Sequence, residues 1–242
     1  MTVTSSQAGT NVHEIAAGVY RISTPVSAIP GGFTFNQILV VDDEPLLFHT
    51  GLRRMFPLVK EAVAHVLGDV QKLRYVGFSH FESDECGALN DWLAVAPQAE
   101  PVCSQVVAMV SINDFADRPA RALADGEELS LGSKKLRWLD APHLPHNWEC
   151  GYLFETTTRT LLCGDLFTQG GTDNPPLTER DILGPSEAMR KNTGGVAVEA
   201  DARKLLQKLA STEPTTLATM HGSSFRGDGA ALLLAFAREL GV

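Results

Sequence analysis

The chain has 242 residues, of which 44% are hydrophobic and 20% charged, with a formal net charge of -9. That balance suits a soluble globular protein with a sizeable core, and its acidity argues against a nucleic-acid or anionic-membrane partner, since both need clustered Lys and Arg. No N-terminal stretch has the basic start and apolar run of a secretory signal, and the apolar ALLLAFA segment near the end is far too short to span a bilayer.

Residues 1–12 read as a flexible tail, followed by a single domain over residues 13–242. GVYRIST, QILVVDD and PLLFHTG are short β-branched and aromatic runs separated by IPGG and DDEP, the pattern of antiparallel strands. From Pro57 to Gln71 the apolar period changes to that of a helix. KLRYVGFSH is a strand, GALNDWLA a short helix, PVCSQ a strand and SINDFADRPARAL a helical or irregular segment. LSLGS and KKLRWLDAP are strands, and GYLFETTTRTLLCGD reads as a hairpin. The segment Thr168–Gly195 is rich in Gly, Pro, Asn and Thr, and reads as a long connection with one helical turn near Ser186–Lys191. VEADARKLLQKLAS is a helix, TTLATMHG a strand and DGAALLLAFAREL a terminal helix with Asp228 as its cap. Two rounds of strands and then helices imply an α/β (α+β) fold, a four-layer αβ/βα sandwich.

The stretch FSHFESDECGAL sets His80, Glu82, Asp84 and Glu85 side by side after an apolar run. Taken alone, it reads equally as a solvated acidic turn at a helix start, where carboxylates favour the dipole. Three further metal-competent residues follow apolar strands: His146, Asp165 and His221. Loops beyond strand ends are where α/β folds collect their chemistry. Three or four carboxylates in one place repel unless something positive joins them, and two divalent ions supply four positive charges. A carboxylate-rich set with imidazole suits iron or manganese, whereas zinc favours His and Cys.

With 61 residues between Asp84 and His146, 18 more before Asp165 and 55 more before His221, the set HxExD…H…D…H resembles the diiron centre of the metallo-β-lactamase superfamily. That centre is the catalytic module of flavodiiron proteins and of stand-alone oxygen-binding diiron proteins. The likeness runs from about His13 to Arg238, and PLLFHTG resembles an early strand motif of the superfamily, with His49 where Asp often stands. The resemblance implies the metallo-β-lactamase fold and two Fe ions, with Mn or Zn as alternatives. His80, Glu82 and His146 would hold one ion, Asp84 and His221 the other, and Asp165 would bridge them. Hydrolytic zinc members carry HxHxDH, so Glu82 points to the iron branch. The sixth position of the family motif is His, and here it is Glu85, which either binds the second ion as a carboxylate or turns away.

The implied function is binding of dioxygen, with possible reduction of O2 or NO. The runner-up is a dinuclear metal hydrolase acting on a phosphodiester, thioester or lactone, and a third reading is an oxygen sensor coupled to a signalling partner. Only 21 residues follow His221, so no flavin is expected on this chain and a separate electron donor is. Family members commonly form head-to-tail dimers, which implies a homodimer. Four cysteines without a CxxC pair read as reduced thiols in a cytoplasmic protein. Cys86 is expected to be a buried filler, His49 a buried non-ligand, and His143 a solvent-facing or hydrogen-bonded neighbour of His146. Phe33, Phe35, Phe81, Trp148, Phe167 and Phe225 flank the ligand segments, either as ordinary packing or as the wall of a gas pocket.

Overall fold

The computed structural model describes residues 1–5, 8–196 and 201–242. The first sheet takes seven strands in chain order: β1 (Asn11–Ala16), β2 (Val19–Val26), β3 (Phe33–Val40), β4 (Leu46–Phe48), β5 (Tyr75–Gly77), β6 (Glu100–Ser104) and β7 (Arg121–Leu123). Pairing is antiparallel from β1 to β4 and parallel from β4 to β7. The second sheet holds β8 (Glu128–Ser130), β9 (Lys135–Asp140), β10 (Gly151–Glu155), β11 (Thr160–Leu162), β12 (Leu177–Thr178), β13 (Thr216–Ala218) and β14 (Ser224–Arg226). Their order is β12-β14-β13-β11-β10-β9-β8, with β11 and β13 parallel.

The two-residue period of the strands sorts their side chains into layers. On β3 and β4, Ile38, Val40, Leu46 and Phe48 meet Trp138, Leu153 and Leu162 of the second sheet. Their alternates Phe35, Leu39 and Leu47 pack against helices α1 (Phe56–Leu67), α2 (Ser83–Cys86) and α3 (Leu89–Val95), through Val59, Cys86 and Trp92. A short helix α4 (Gln105–Val107) passes through a π turn into α5 (Asn113–Phe115) on the same side. Outside the second sheet, Tyr152, Phe154 and Leu161 meet α6 (Leu183–Thr193), α7 (Ala202–Ala210) and α8 (Gly229–Glu239), through residues such as Leu183, Leu206 and Phe236. Each buried Leu or Phe contributes roughly 1.5–3 kcal/mol of transfer free energy, so three apolar layers fix four structural ones. This is the four-layer αβ/βα sandwich of the metallo-β-lactamase type.

Several expectations need correction. The N-terminal tail was expected to run to residue 12, but β1 begins at Asn11, Val12 is buried, and Thr2 bridges Asn11; Ser6 and Gln7 lie outside the described residues. Helix α1 stops at Leu67, because Gly68 adopts a positive φ of 76° and a short turn replaces the last four expected residues. Between Asp165 and Asp201, α6 spans 11 residues where one turn was expected. Local side chains stabilise it: Asp181 accepts from the Leu183 and Gly184 amides, and Arg190 pairs with Glu187 one turn away. Strands β12 and β14 escape the sequence pattern because they are only two and three residues long. Asp228 caps α8 as expected, accepting from the Ala231 amide. The start of VEADARKLLQKLAS, residues 198–200, lies outside the described residues.

Candidate metal centre

Three of the six sequence-derived ligand candidates occupy equivalent places. His80, Asp165 and His221 each lie three residues beyond the end of a strand, β5, β11 and β13 respectively. His146 comes from the β9–β10 loop, and Glu82 stands at the cap position of α2, whose single turn carries Asp84 and Glu85. These elements meet at one edge of the sandwich.

His80 Nε2 lies 3.0 Å from Glu82 Oε2 and 3.0 Å from His146 Nε2. Asp165 Oδ2 is 3.6 Å from His80 Nε2 and 3.4 Å from His146 Nε2. The other Asp165 oxygen, Oδ1, faces the opposite way, 3.2 Å from His221 Nε2, which is 3.4 Å from Asp84 Oδ2. Donors bonded at 2.0–2.2 Å around a tetrahedral ion are separated by about 3.3–3.6 Å. The observed spacing is of that kind, and Asp165 is placed to serve two neighbouring positions.

The far side of each ring decides what its near side offers. His146 Nδ1 faces the Gly195 carbonyl at 3.0 Å, and His221 Nδ1 faces the Thr34 carbonyl at 2.8 Å. A carbonyl only accepts, so each Nδ1 carries the N–H, and each Nε2 is left as a lone pair unless a second proton joins it. His80 Nδ1 contacts Ser79 Oγ at 2.9 Å, which contacts His49 Nε2 at 3.0 Å. At 3.0 Å, His80 and His146 cannot both carry a proton on Nε2.

The electrostatics make the same demand for positive charge. Hydrogen bonds with His146 and then His80 hold Glu82 down at about 2. The hydrogen bond to Glu82 raises His146 to about 9. Burial opposes protonation of His221, but contacts with Asp165 and Asp84 raise it to about 9. Burial also opposes ionisation of Asp165, yet His221, His80 and His146 hold its carboxyl below the usual range. Glu85 is the exception: burial, then the charges of Asp165 and Asp84, push it well above the ordinary carboxyl value. Its side chain is fully buried, and both its oxygens lack a hydrogen-bond partner among the described residues. Without an ion, protons on His146 and His221 supply the positive charge among these carboxylates and the buried Glu85 oxygens go unpartnered; a pair of cations meets both needs. The residues fit such a pair.

A family model described as ODP family beta lactamase matches residues 33–222. The chain belongs to that family. Among its curated relatives, a nitric oxide reductase of Moorella thermoacetica is 28% identical over 149 residues, covering 60% of this chain and 36% of that protein. A putative diflavin flavoprotein A 1 of Nostoc sp. is 31% identical over 198 residues, covering 79% of this chain and 33% of that protein. The family chain thus spans about a third of the length of these relatives. A crystal structure of a putative diflavin flavoprotein A 5 from Nostoc superposes with a TM-score of 0.82 at 19% identity, covering 96% of this chain and 95% of that one. Rubredoxin oxygen:oxidoreductase of Desulfovibrio gigas gives 0.79 at 21%, covering 96% and 61%. The fold of this beta-lactamase family member is therefore that of flavodiiron cores.

In this family member, His49 is buried and touches Ser79 rather than the donor cluster, and His143 is exposed, as expected. Cys86 is buried, donates to the Glu82 carbonyl and is pushed up to about 12 by burial, so it is an inert filler. Phe33 and Phe35 pack on the His221 ring, with centroids 4.3 and 5.3 Å away. Phe81 and Trp148 are exposed, and Phe167 packs against Phe236.

The sequence reading missed the residues that hold the ligands. Thr34, Asn36 and Arg21, all buried, reach from β2 and β3 to the His221 loop. Thr34 Oγ1 accepts from the Gly222 amide at 2.8 Å, Asn36 donates to the Thr219 and Gly222 carbonyls, and Arg21 donates to the Gly222 carbonyl at 2.8 Å. Gly222 has a φ of 91°, and a Cβ there would meet Gln169 atoms at 2.6 Å. Gly164 precedes Asp165 with a φ of 47° and has Ser79 and Tyr152 atoms 3.0 Å from where a Cβ would sit. The glycines beside Asp165 and His221 were the local sign of this tight packing.

Proposed function

We propose that this chain is a non-haem diiron module that binds dioxygen or nitric oxide. His80, Glu82 and His146 hold one iron, Asp84 and His221 the other, and Asp165 bridges. The observation that carries the reading is the convergence of the three Nε2 atoms on carboxylate oxygens, with the Nδ1 protons of His146 and His221 fixed by carbonyls behind them. The printed names of relatives, a nitric oxide reductase and a rubredoxin oxygen:oxidoreductase, support the choice of gas. When bound, the irons supply electrons to a diatomic ligand and offset the charge that develops on it.

The chain's own residues do the rest. The two oxygens of Asp165 face opposite ways and fix the spacing of the two halves. A cavity of about 260 Å³ opens over the cluster, with Phe33, Met189 and Val196 as its apolar wall and Ser186 as a hydroxyl on its lining, while the Thr168 and Thr193 hydroxyls donate to the Asp165 and Met189 carbonyls. An apolar wall restrains water, and the Ser186 hydroxyl can donate to a bound polar diatomic. Electrons come from a separate donor, or a signalling partner reads the bound state. The same proposal takes the chain as one domain beginning at β1, without a bound flavin, working as a cytoplasmic homodimer. Four buried, unbridged cysteines fit a reducing compartment.

Anaerobically reduced, iron-loaded protein mixed rapidly with oxygen tests the proposal. A long-lived adduct assigns binding, and rapid reoxidation of both irons assigns reduction. Indifference to both oxygen and nitric oxide in protein carrying two irons contradicts it.

One observation favours a second reading, the dinuclear hydrolase. The cavity far exceeds the roughly 10–15 Å³ that a water-sized molecule needs by a comparable measure. Turnover of generic phosphodiester, thioester or lactone substrates by metal-loaded protein, abolished in Asp165→Ala, would favour that reading.

A further inference from the structure

Where the family motif has His, this chain has Glu85, and the structure shows where that side chain goes. It does not turn away. Its carboxylate is completely buried, with Oε1 3.8 Å from His80 Nε2 and an oxygen within 4.8 Å of donor atoms of Glu82 and Asp84. The backbone pins it there, since the Thr50 amide donates to the Glu85 carbonyl at 2.7 Å and Thr50 Oγ1 accepts from the Ala88 amide. Neither carboxylate oxygen has a hydrogen-bond partner among the described residues. An ionised carboxylate in that setting is strongly destabilising unless a cation meets it.

We infer that Glu85 is a direct ligand of the second ion and, as a carboxylate in place of an imidazole, shifts that position's preference toward hard, oxygen-preferring cations such as Mn2+ and away from Zn2+. The inference rests on the dinuclear reading above. It makes the two positions unequal. His80, His146, Glu82 and one Asp165 oxygen give the first position two imidazoles and two carboxylates. His221, Asp84, Glu85 and the other Asp165 oxygen give the second one imidazole and three carboxylates. Nitrogen-poor, carboxylate-rich sets favour hard ions, and adding imidazole shifts preference toward Zn2+. Four carboxylates also balance the charge of two divalent ions without help from a bridging hydroxide.

The test compares wild type with Glu85→Gln and Glu85→His by equilibrium dialysis against Mn2+ and Zn2+, separately and together, and by thermal melting with and without metal. Wild type takes up two ions per chain. In Glu85→Gln, affinity for the second ion falls at least about tenfold, since loss even of an indirect partner of a ligand costs 10–100-fold. In Glu85→His the ratio of Zn2+ to Mn2+ affinity at the second position rises by a similar factor. Melting carries a second signature: Glu85→Gln, an uncharged side chain of nearly the same volume, leaves the Tm of the chelator-treated protein little changed while shrinking the Tm gain on adding metal. Unchanged second-ion affinity and selectivity in both variants would overturn the inference and leave the six-residue site standing. Wild type that takes up no second ion would instead overturn the dinuclear reading itself.

Discussion

His146 and His221 present the same atom to the donor cluster but stand on different supports. His146 comes from the β9–β10 loop, its side chain is 31% exposed, and among the described residues its hydrogen-bond partner behind the ring is the Gly195 carbonyl at the far end of the long connection that follows Asp165. His221 is 5% exposed and is held by the Thr34 carbonyl, with Phe33 and Phe35 packed on its ring. The adjoining Gly222 is clamped by Thr34, Asn36 and Arg21 from the opposite sheet. One half of the site is built into the sheet edges, whereas the other depends on how a long surface segment lies. Positions supported by buried hydrogen bonds open less readily than those on exposed segments.

The largest expected effect removes the comparison altogether. Asp165 serves both halves, so Asp165→Ala should lower affinity for both ions by at least about a hundredfold, the upper end of what a perturbed metal shell costs. Metal analysis after dialysis checks it, and loss of one ion alone would show that the carboxylate does not bridge. Asn36→Ala should then separate the halves. It leaves the Thr219 carbonyl without its buried donor and the Gly222 carbonyl with Arg21 alone, which costs about 1–3 kcal/mol in global stability. Denaturant unfolding measures that loss, and titration with Mn2+ should show weakening at the second position only.

A smaller effect belongs to His49. It sits in the left-handed region with a φ of 69°, held by its amide donating to the Gly77 carbonyl, and touches Ser79 behind His80. His49→Ala should weaken the first ion about tenfold through the loosened His80 ring, visible as a changed ligand-field spectrum of Co2+-loaded protein. Equal weakening of both ions would contradict that assignment.

The smallest effect is a change of slope with pH. In chelator-treated protein, His146 and His221 sit at about 9 rather than 6.5, so folding raises their proton affinity. Their contribution to stability is fully present below about pH 6.5 and is lost as pH rises through 9. Glu82, held at about 2 rather than 4.5, contributes above pH 4.5 and loses that contribution as pH falls through 2. Metal-free protein should therefore be most stable between these limits and weaken toward pH 9. Metal uptake near neutrality should release at least two protons, one from each of these imidazoles, with the raised Glu85 carboxyl adding to the count. Calorimetry in buffers of different ionisation enthalpy counts them, and zero release would show that these two imidazoles are not ligands.

Much of this was legible in the residues. Alternating apolar runs such as QILVV and the helical stripe after Pro57 carried the layers, and His146, Asp165 and His221 announced themselves by following apolar strands. What was not legible depends on contacts between distant parts of the chain. Thr34 lies 187 residues from His221, and nothing local marks it as an anchor. Helix α6 was hidden by its Gly, Pro and Asn content, because its stability comes from caps and one ion pair rather than an apolar face. The inward turn of Glu85 could not be read from a single four-residue helical turn, where no periodicity can develop.

Metal content of protein purified anaerobically from iron-supplied cells tests the central claim most directly. Two irons per chain, falling below one in Asp165→Ala while the fold persists, is the expected result. A correctly folded wild-type chain that retains no iron, and shows no gain in Tm when iron or manganese is added, would contradict it.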